Sequence, residues 1–418
     1  MKLKDLNRER KIIVLVVFVC IVFIVLMKAI LSSESGDYDK STESILNGTP
    51  FMVLKNDGSR VFYDKYPPVF PIILAFFTWI SNQLNINRLW LIIPFSIFCF
   101  SYSAVLLSRI FDKLKIKTGI WIAILFGVLN PFMLWMLLQP LSEPFYFLTL
   151  ILALSEFVNL ITEKNSNSNT ALIKIGFWLG LGWLTRPISI FVPFLFSLFI
   201  LVNYLRTSFN LAIRKSLITL TVSVLVVIPW QFMSFRNTDQ FNFLSSNGVA
   251  ALRDGLSYNH KTWREPFEFD NDVQDLLNRF QSNYDTYIET KLIKTFLMEE
   301  WQKNKKAVMK LYTFKALRGW YGTDAHKTKI ERGIKVFSLS YILILIPSLI
   351  FVARKRRDQR DLFIVTFLSI LIILSISAIN AVSSSLFRYI LPFMILGYFP
   401  ITAFLSSIIS TLKLKIHL

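Results

Sequence analysis

The run KIIVLVVFVCIVFIVLMKAIL, residues 11–31, decides the class of this chain, because every residue between Lys11 and Lys28 is apolar. A helix rises about 1.5 Å per residue, so roughly twenty such residues cross the hydrocarbon core of a bilayer. The run is too long for the apolar core of a signal peptide, and no small-residue cleavage site follows it. It reads as a retained first membrane helix. Lys2, Lys4, Arg8, Arg10 and Lys11 precede it, which sets the N-terminus on the cytoplasmic side, where basic residues accumulate.

Working outward, nine further apolar blocks follow at about 88–108, 119–138, 144–162, 172–185, 188–205, 216–234, 336–353, 362–380 and 388–409. Ten crossings put both termini inside. The short loops agree: Arg109, Lys113, Lys115 and Lys117 fall inside, as do Arg206, Arg214, Lys215, the run Arg354-Lys355-Arg356-Arg357, Lys413 and Lys415. The loops assigned outside, near 139–143, 186–187 and 381–387, carry almost no Lys or Arg. Much of the formal charge of +19 is therefore topology, and no nucleic-acid partner is needed to explain it. Charged residues are only 17% of the chain and hydrophobic ones 54%, against about 25% charged in a soluble protein. No single soluble core absorbs that apolar surplus, and disordered and collagen-like classes are excluded. The expected fold is an all-α integral membrane protein of about ten transmembrane helices, in a multi-pass inner (cell) membrane setting.

Three regions emerge. Residues 1–234 form a membrane module with a first external loop at 32–87. Within that loop, 67–84 opens with three prolines in five residues (Pro67, Pro68, Pro71). A full crossing there would turn the basic loop at 109–117 outside, so the stretch is expected to be a half-buried helix along the outer surface, with proline in its first turn. Residues 235–335 hold 17 Lys/Arg against 13 Asp/Glu and read as a solvated external helical region. Leu276, Leu277, Phe280, Leu292, Phe296, Trp301, Val308, Leu311, Phe314 and Leu317 recur there at helical spacing, predicting two or three helices. Residues 336–418 supply the C-terminal transmembrane helices.

Charges at the edge of a membrane are costly and need a reason. Glu34-Ser-Gly-Asp37-Tyr38-Asp39 sets three carboxylates directly after the first helix. A carboxylate in apolar surroundings can serve as a general base; the same cluster could simply cap the next helix, with Asp39 as N-cap for Lys40 to Asn47. Gln139-Pro-Leu-Ser142-Glu143-Pro144 sets Glu143 at a helix start, where the dipole favours an acid, or as a second functional carboxylate. Lys65, Arg186 and Arg388 lie on the outer edge in distant parts of the chain. Each could snorkel to headgroups; together they suit an anionic ligand such as a phosphate. Cys20 and Cys99 sit inside apolar runs, and His260, His326 and His417 share no ligand spacing. No dedicated metal set is visible, though the acids leave room for a divalent cation.

Taken in order, these residues resemble the GT-C superfamily of membrane glycosyltransferases, in particular the bacterial relatives of the protein O-mannosyltransferases and of the lipid A aminoarabinose transferase. Tyr38-Asp39 followed by Ile45-Leu46-Asn47-Gly48-Thr49-Pro50-Phe51 resembles the family's first loop, with Pro50 where a second glycine is usual. Tyr66-Pro67-Pro68-Val69-Phe70-Pro71 resembles its juxtamembrane helix. Leu141-Ser142-Glu143-Pro144, Gly180-Leu-Gly-Trp-Leu-Thr-Arg186-Pro187 and Phe387-Arg388-Tyr389-Ile-Leu-Pro392 resemble three later segments. The resemblance implies an extracytoplasmic active site and a polyprenyl-phosphate-sugar donor. It implies a base at Asp37 or Glu34, a second carboxylate at Glu143, and Lys65 on the donor phosphate. The acceptor would be a lipid, glycan or protein. A transporter or flippase, or a polymerase or ligase of lipid-linked glycans, is the rival class; a transporter would carry its charges near the midplane, whereas here they lie at the outer edge.

Overall fold

The structure is a computed structural model describing residues 3–27, 37–54, 58–116, 120–163, 168–205, 207–239, 244–257, 269–287, 289–323 and 328–416. The chain divides into two compact units, one of Met1–Leu244, Leu345–Ile372 and Pro392–Leu418, the other of Ser245–Ile344 and Ile373–Leu391.

In the first unit α1 (Leu3–Leu26) contains the opening apolar run. The stretch expected to be the first external loop folds into α2 (Asp37–Leu46), a two-stranded antiparallel ribbon of β1 (Met52–Leu54) and β2 (Arg60–Phe62), and α3 (Val69–Leu84). Next come α4 (Leu89–Lys113), α5 (Ile120–Val128) and α6 (Pro131–Leu138). They are followed by α7 (Glu143–Thr162), α8 (Ser168–Trp183), α9 (Val192–Leu205) and α10 (Phe209–Thr238). The ribbon is a departure from the all-α expectation. It exists because Gly48 and Phe51 take positive φ (72° and 60°) and turn the chain after α2, where Ser44 Oγ accepts from the Phe51 amide at 3.0 Å.

The second unit holds α11 (Asn247–Asp254), α12 (Asn271–Ser282), α13 (Thr290–Lys303) and α14 (Lys305–Arg318). Its core gathers Leu276, Leu277, Phe280, Ile293, Phe296, Val308 and Leu311. Helices are where periodicity expects them, yet Leu292, Trp301 and Leu317 are exposed; Ile293 takes the inward place on α13. The unit boundary falls within α15 (Thr328–Arg354), α16 (Arg360–Val382) and α17 (Phe387–Met394), and α18 (Tyr398–Ile416) returns to the first unit.

Among the described residues seven helices are long and apolar enough to cross a membrane, and eight if the bent pair α5–α6 is one span. The expected ten included α1, whose first third is charged, and α8, which has 16 residues. The 44° bend between α5 and α6 has a local cause. Asn130 Oδ1 caps α6 through the Phe132 and Met133 amides (3.1 and 2.9 Å), and Pro131 opens the helix.

Two details set the frame of the first unit. Gly176 and Gly180 on α8 let α10 approach so closely that a Cβ on either would lie 2.5 Å from the Thr219 carbonyl or 2.8 Å from that of Ser223. Ser223 Oγ uses that approach to donate to the Gly176 carbonyl at 3.0 Å. Small residues spaced by four are how apolar helices pack backbone to backbone in lipid. The second detail is a cluster of ion pairs at one end of the bundle: Arg8 with Asp112, Arg109 with Glu9, and Lys113 with Glu163. The ends of α4 and α7 and the start of α1 therefore lie together.

Candidate functional site

The opposite end of the same bundle begins with a turn that has little freedom. Arg186 precedes proline and is extended (φ −145°, ψ 110°), as a residue before proline must be. The Arg186 amide donates to the Gly182 carbonyl at 2.8 Å, and its own carbonyl accepts from Ser189 Oγ at 2.8 Å. Trp183, fully buried, donates Nε1 to the Ser189 and Ile190 carbonyls at 3.1 and 3.2 Å. The Leu184 carbonyl accepts from the amide of Val69, the first residue of α3, at 3.2 Å. Close packing of α8 on α10 and this bonding deliver the Arg186 side chain to one place.

That place is the start of α7. Arg186 Nη1 lies 2.7 Å from Glu143 Oε1, with both side chains buried. Glu143 is the first residue of α7, so it is stabilised both by the helix N-terminus and by the guanidinium. The preceding residue, Ser142, makes no side-chain cap to α7. Its Oγ instead lies 3.3 Å from the Tyr38 hydroxyl.

Tyr38 links this junction to the segment between α2 and α3. Its ring is 4.5 Å from that of Tyr66 and 5.0 Å from that of Phe70, and Lys65 Nζ stands 5.5 Å from the Tyr66 ring centre. Beside them Asp64 is buried and accepts from Ser234 Oγ of α10 at 3.0 Å. The loop is pinned from the other side by Phe51, whose ring meets Trp230 at 4.9 Å in a cluster with Trp183, Leu184 and Val227.

Three of the residues singled out in the sequence thus share one end of the first unit: Glu143 and Arg186 in direct contact, and Lys65 joined to them through Tyr66, Tyr38 and Ser142. Asp37 is the first residue of α2, next to Tyr38; Glu34 lies outside the described residues. Arg388 belongs to the second unit, where its guanidinium lies 5.2 Å from the Tyr389 ring centre. Asp39 is not the N-cap of α2. The helix starts two residues earlier, and Asp39 pairs with Arg88 at 2.7 Å, tying α2 to the start of α4. Sequence reasoning missed Tyr38, Tyr66 and Ser142 as connectors; their place inside the motifs was the available signal. Among the described residues no three His, Cys, Asp or Glu gather as a metal-ligand set.

No protein-family model matches the chain, and no curated protein does. Among solved structures it is similar to ArnT from Cupriavidus metallidurans, crystallised bound to undecaprenyl phosphate. The TM-score is 0.40 and the identity 11%, over 94% of this chain and 77% of that one.

Proposed function

We propose that the chain is a polyprenyl-phosphate-sugar-dependent glycosyltransferase whose site lies at the extracytoplasmic end of the first unit. What carries the reading is the joining of Tyr38, in the first turn of α2, to Ser142, one residue before the buried Glu143–Arg186 pair. The Tyr38 side chain reaches from the first turn of α2 to the N-terminus of α7, where orphan N–H groups and a positive dipole end favour an anion. The donor class itself follows from the resemblance of the motifs.

In this reading the acceptor hydroxyl attacks the anomeric carbon as the bond to the lipid phosphate breaks, with inversion. Asp37 or Glu34 takes the acceptor proton. Lys65 and Arg186 stabilise the charge that develops on the leaving phosphate; for Arg388 a role toward the donor phosphate is what the motif resemblance implies. Glu143, the second carboxylate that the resemblance implies, touches Arg186 and so could also act by holding that guanidinium in place.

Membranes containing the protein, incubated with a panel of polyprenyl-phosphate sugars, should yield a modified lipid, glycan or protein visible by mass spectrometry. Asp37→Asn should lower transfer by about 10²- to 10⁴-fold, the usual worth of a general base, with the protein still in the membrane. Full transfer in both Asp37→Asn and Glu34→Gln would refute the base assignment. Movement of the intact donor between leaflets with no transfer product would assign the chain to transport.

A further inference from the structure

The second unit contains an arrangement that the proposed chemistry does not yet use. The turn between α16 and α17, from which Arg388 is launched, is gripped by two cations of α14. Lys315 Nζ donates to the Val382 carbonyl at 3.0 Å, and Arg318 Nη1 donates to the Ser385 carbonyl at 2.9 Å. Both side chains are fully buried. Arg318 is itself held by the Thr323 carbonyl at 2.8 Å and by Glu331 at 3.3 Å.

The turn is tightly specified. Ser385 takes a positive φ of 55°, a conformation that side chains rarely adopt. Asn380 compensates by bracing it, with Oδ1 accepting from the Leu386 amide at 3.0 Å and Nδ2 donating to the Leu386 carbonyl at 2.9 Å. The Phe387 amide donates to the Gly322 carbonyl at 2.9 Å. Three glycines make the approach feasible. A Cβ on Gly255 would lie 2.1 Å from the Ser383 carbonyl oxygen and 2.6 Å from Lys315 Nζ; on Gly319, 2.8 Å from Asn380 Nδ2; on Gly322, 2.4 Å from the Arg318 guanidinium.

Burying two cations is expensive, and apolar residues of similar size would pack the same space at less cost. Burial alone pushes the Lys315 ammonium down to about 7. Such groups persist where they specify a geometry. The backbone carbonyls they bind here belong to two residues, Val382 at the end of α16 and Ser385 in the turn that leads into Phe387-Arg388-Tyr389.

We propose that Lys315 and Arg318 are positioning residues for Arg388, holding the α16–α17 turn so that the guanidinium is presented to the phosphate of a polyprenyl phosphate. The proposal rests on the reading of Arg388 as a donor-phosphate group.

The test uses the full-length protein in lipid nanodiscs, with undecaprenyl phosphate as probe and undecaprenol as its uncharged control. Arg388→Gln should lose affinity for undecaprenyl phosphate by about tenfold, the worth of one charge-assisted hydrogen bond, with undecaprenol binding unchanged. Lys315→Met should show a loss of the same selectivity, speed amide exchange across 383–389, and add nothing to Arg388→Gln in the double variant. Arg318→Lys, which keeps charge and burial but loses the fork, should do likewise and guards against a folding failure of Lys315→Met. A full effect of Arg388→Gln beside unchanged affinity in Lys315→Met and Arg318→Lys overturns the positioning role alone. No effect of Arg388→Gln removes the donor-phosphate reading, and the positioning proposal with it.

Discussion

Glu143 and Arg186 stand in van der Waals surroundings that leave their side chains 4% and 10% exposed. Screening by water is weak at that depth, so each charge depends on the other. Glu143→Ala leaves the guanidinium uncompensated and should lower stability by about 3–5 kcal/mol. The apolar double replacement Glu143→Leu with Arg186→Met should recover most of that loss, since a well-packed apolar pair is often neutral relative to a buried ion pair. Under the proposed function transfer should stay low in both, because Glu143→Ala leaves the Arg186 guanidinium without its partner and the double variant removes it. Thermal unfolding in detergent, read beside transfer, checks this. If the double variant regains activity along with stability, Arg186 has no part in the chemistry. Each of the two residues was visible in sequence as an edge charge inside a motif. Their pairing was not, because it joins positions 43 residues apart and depends on how α8 lies on α10.

At the scale of elements, helix α8 is set by the glycines at 176 and 180. Gly180 stood out as part of a motif, whereas Gly176 carried no signal; both are explained by backbone contact with α10. Gly176→Ala forces a methyl toward the Thr219 carbonyl and Val222 (2.5 and 2.8 Å), so the helices must separate. Overpacking of this kind costs about 1–3 kcal/mol, and transfer should fall with it, since the turn carrying Arg186 moves with α8. Gly248→Ala, where a Cβ meets nothing within 4 Å, is the neutral control. Equal melting temperatures for the two variants would dismiss the close contact. Apolar runs made most membrane helices legible, because lipid imposes a length and a composition. The helices α11–α14 were legible only in outline: on an amphipathic helix a one-residue slip trades Leu292 for Ile293 as the buried partner. The β1–β2 ribbon has three residues per strand and leaves no period to read.

For the molecule as a whole, the ion pairs bear on how many times the chain is expected to cross. Arg8 and Glu9, near the start of α1, pair with Asp112 and Arg109 at the end of α4. Asp39, shortly after α1, pairs with Arg88 at the start of α4. Glu9 and Asp39 therefore lie near opposite ends of α4, whose 25 residues span about 37 Å at the helical rise. The same reasoning applies to α8. Glu143 opens α7 and Arg186 follows α8, and the two touch, so α8 and its turn return over the length of α7. Counting α1 and α8 with the eight candidate spans would give the ten crossings expected from the sequence, with both chain ends on one side, and this is a prediction to be tested. In a background carrying Cys20→Ala and Cys99→Ala, both natural thiols being buried, single cysteines at exposed positions read this directly. Gln83→Cys should react with a membrane-impermeant maleimide in intact cells. Asn169→Cys, at the start of α8, and Asp358→Cys, in the basic loop between α15 and α16, should react only after lysis. Reaction of Asn169→Cys in intact cells, alongside Gln83→Cys, would mean that α7 and α8 do not traverse the bilayer as a hairpin, and the end of the bundle bearing Tyr38, Glu143 and Arg186 would lose its distinction from the basic one.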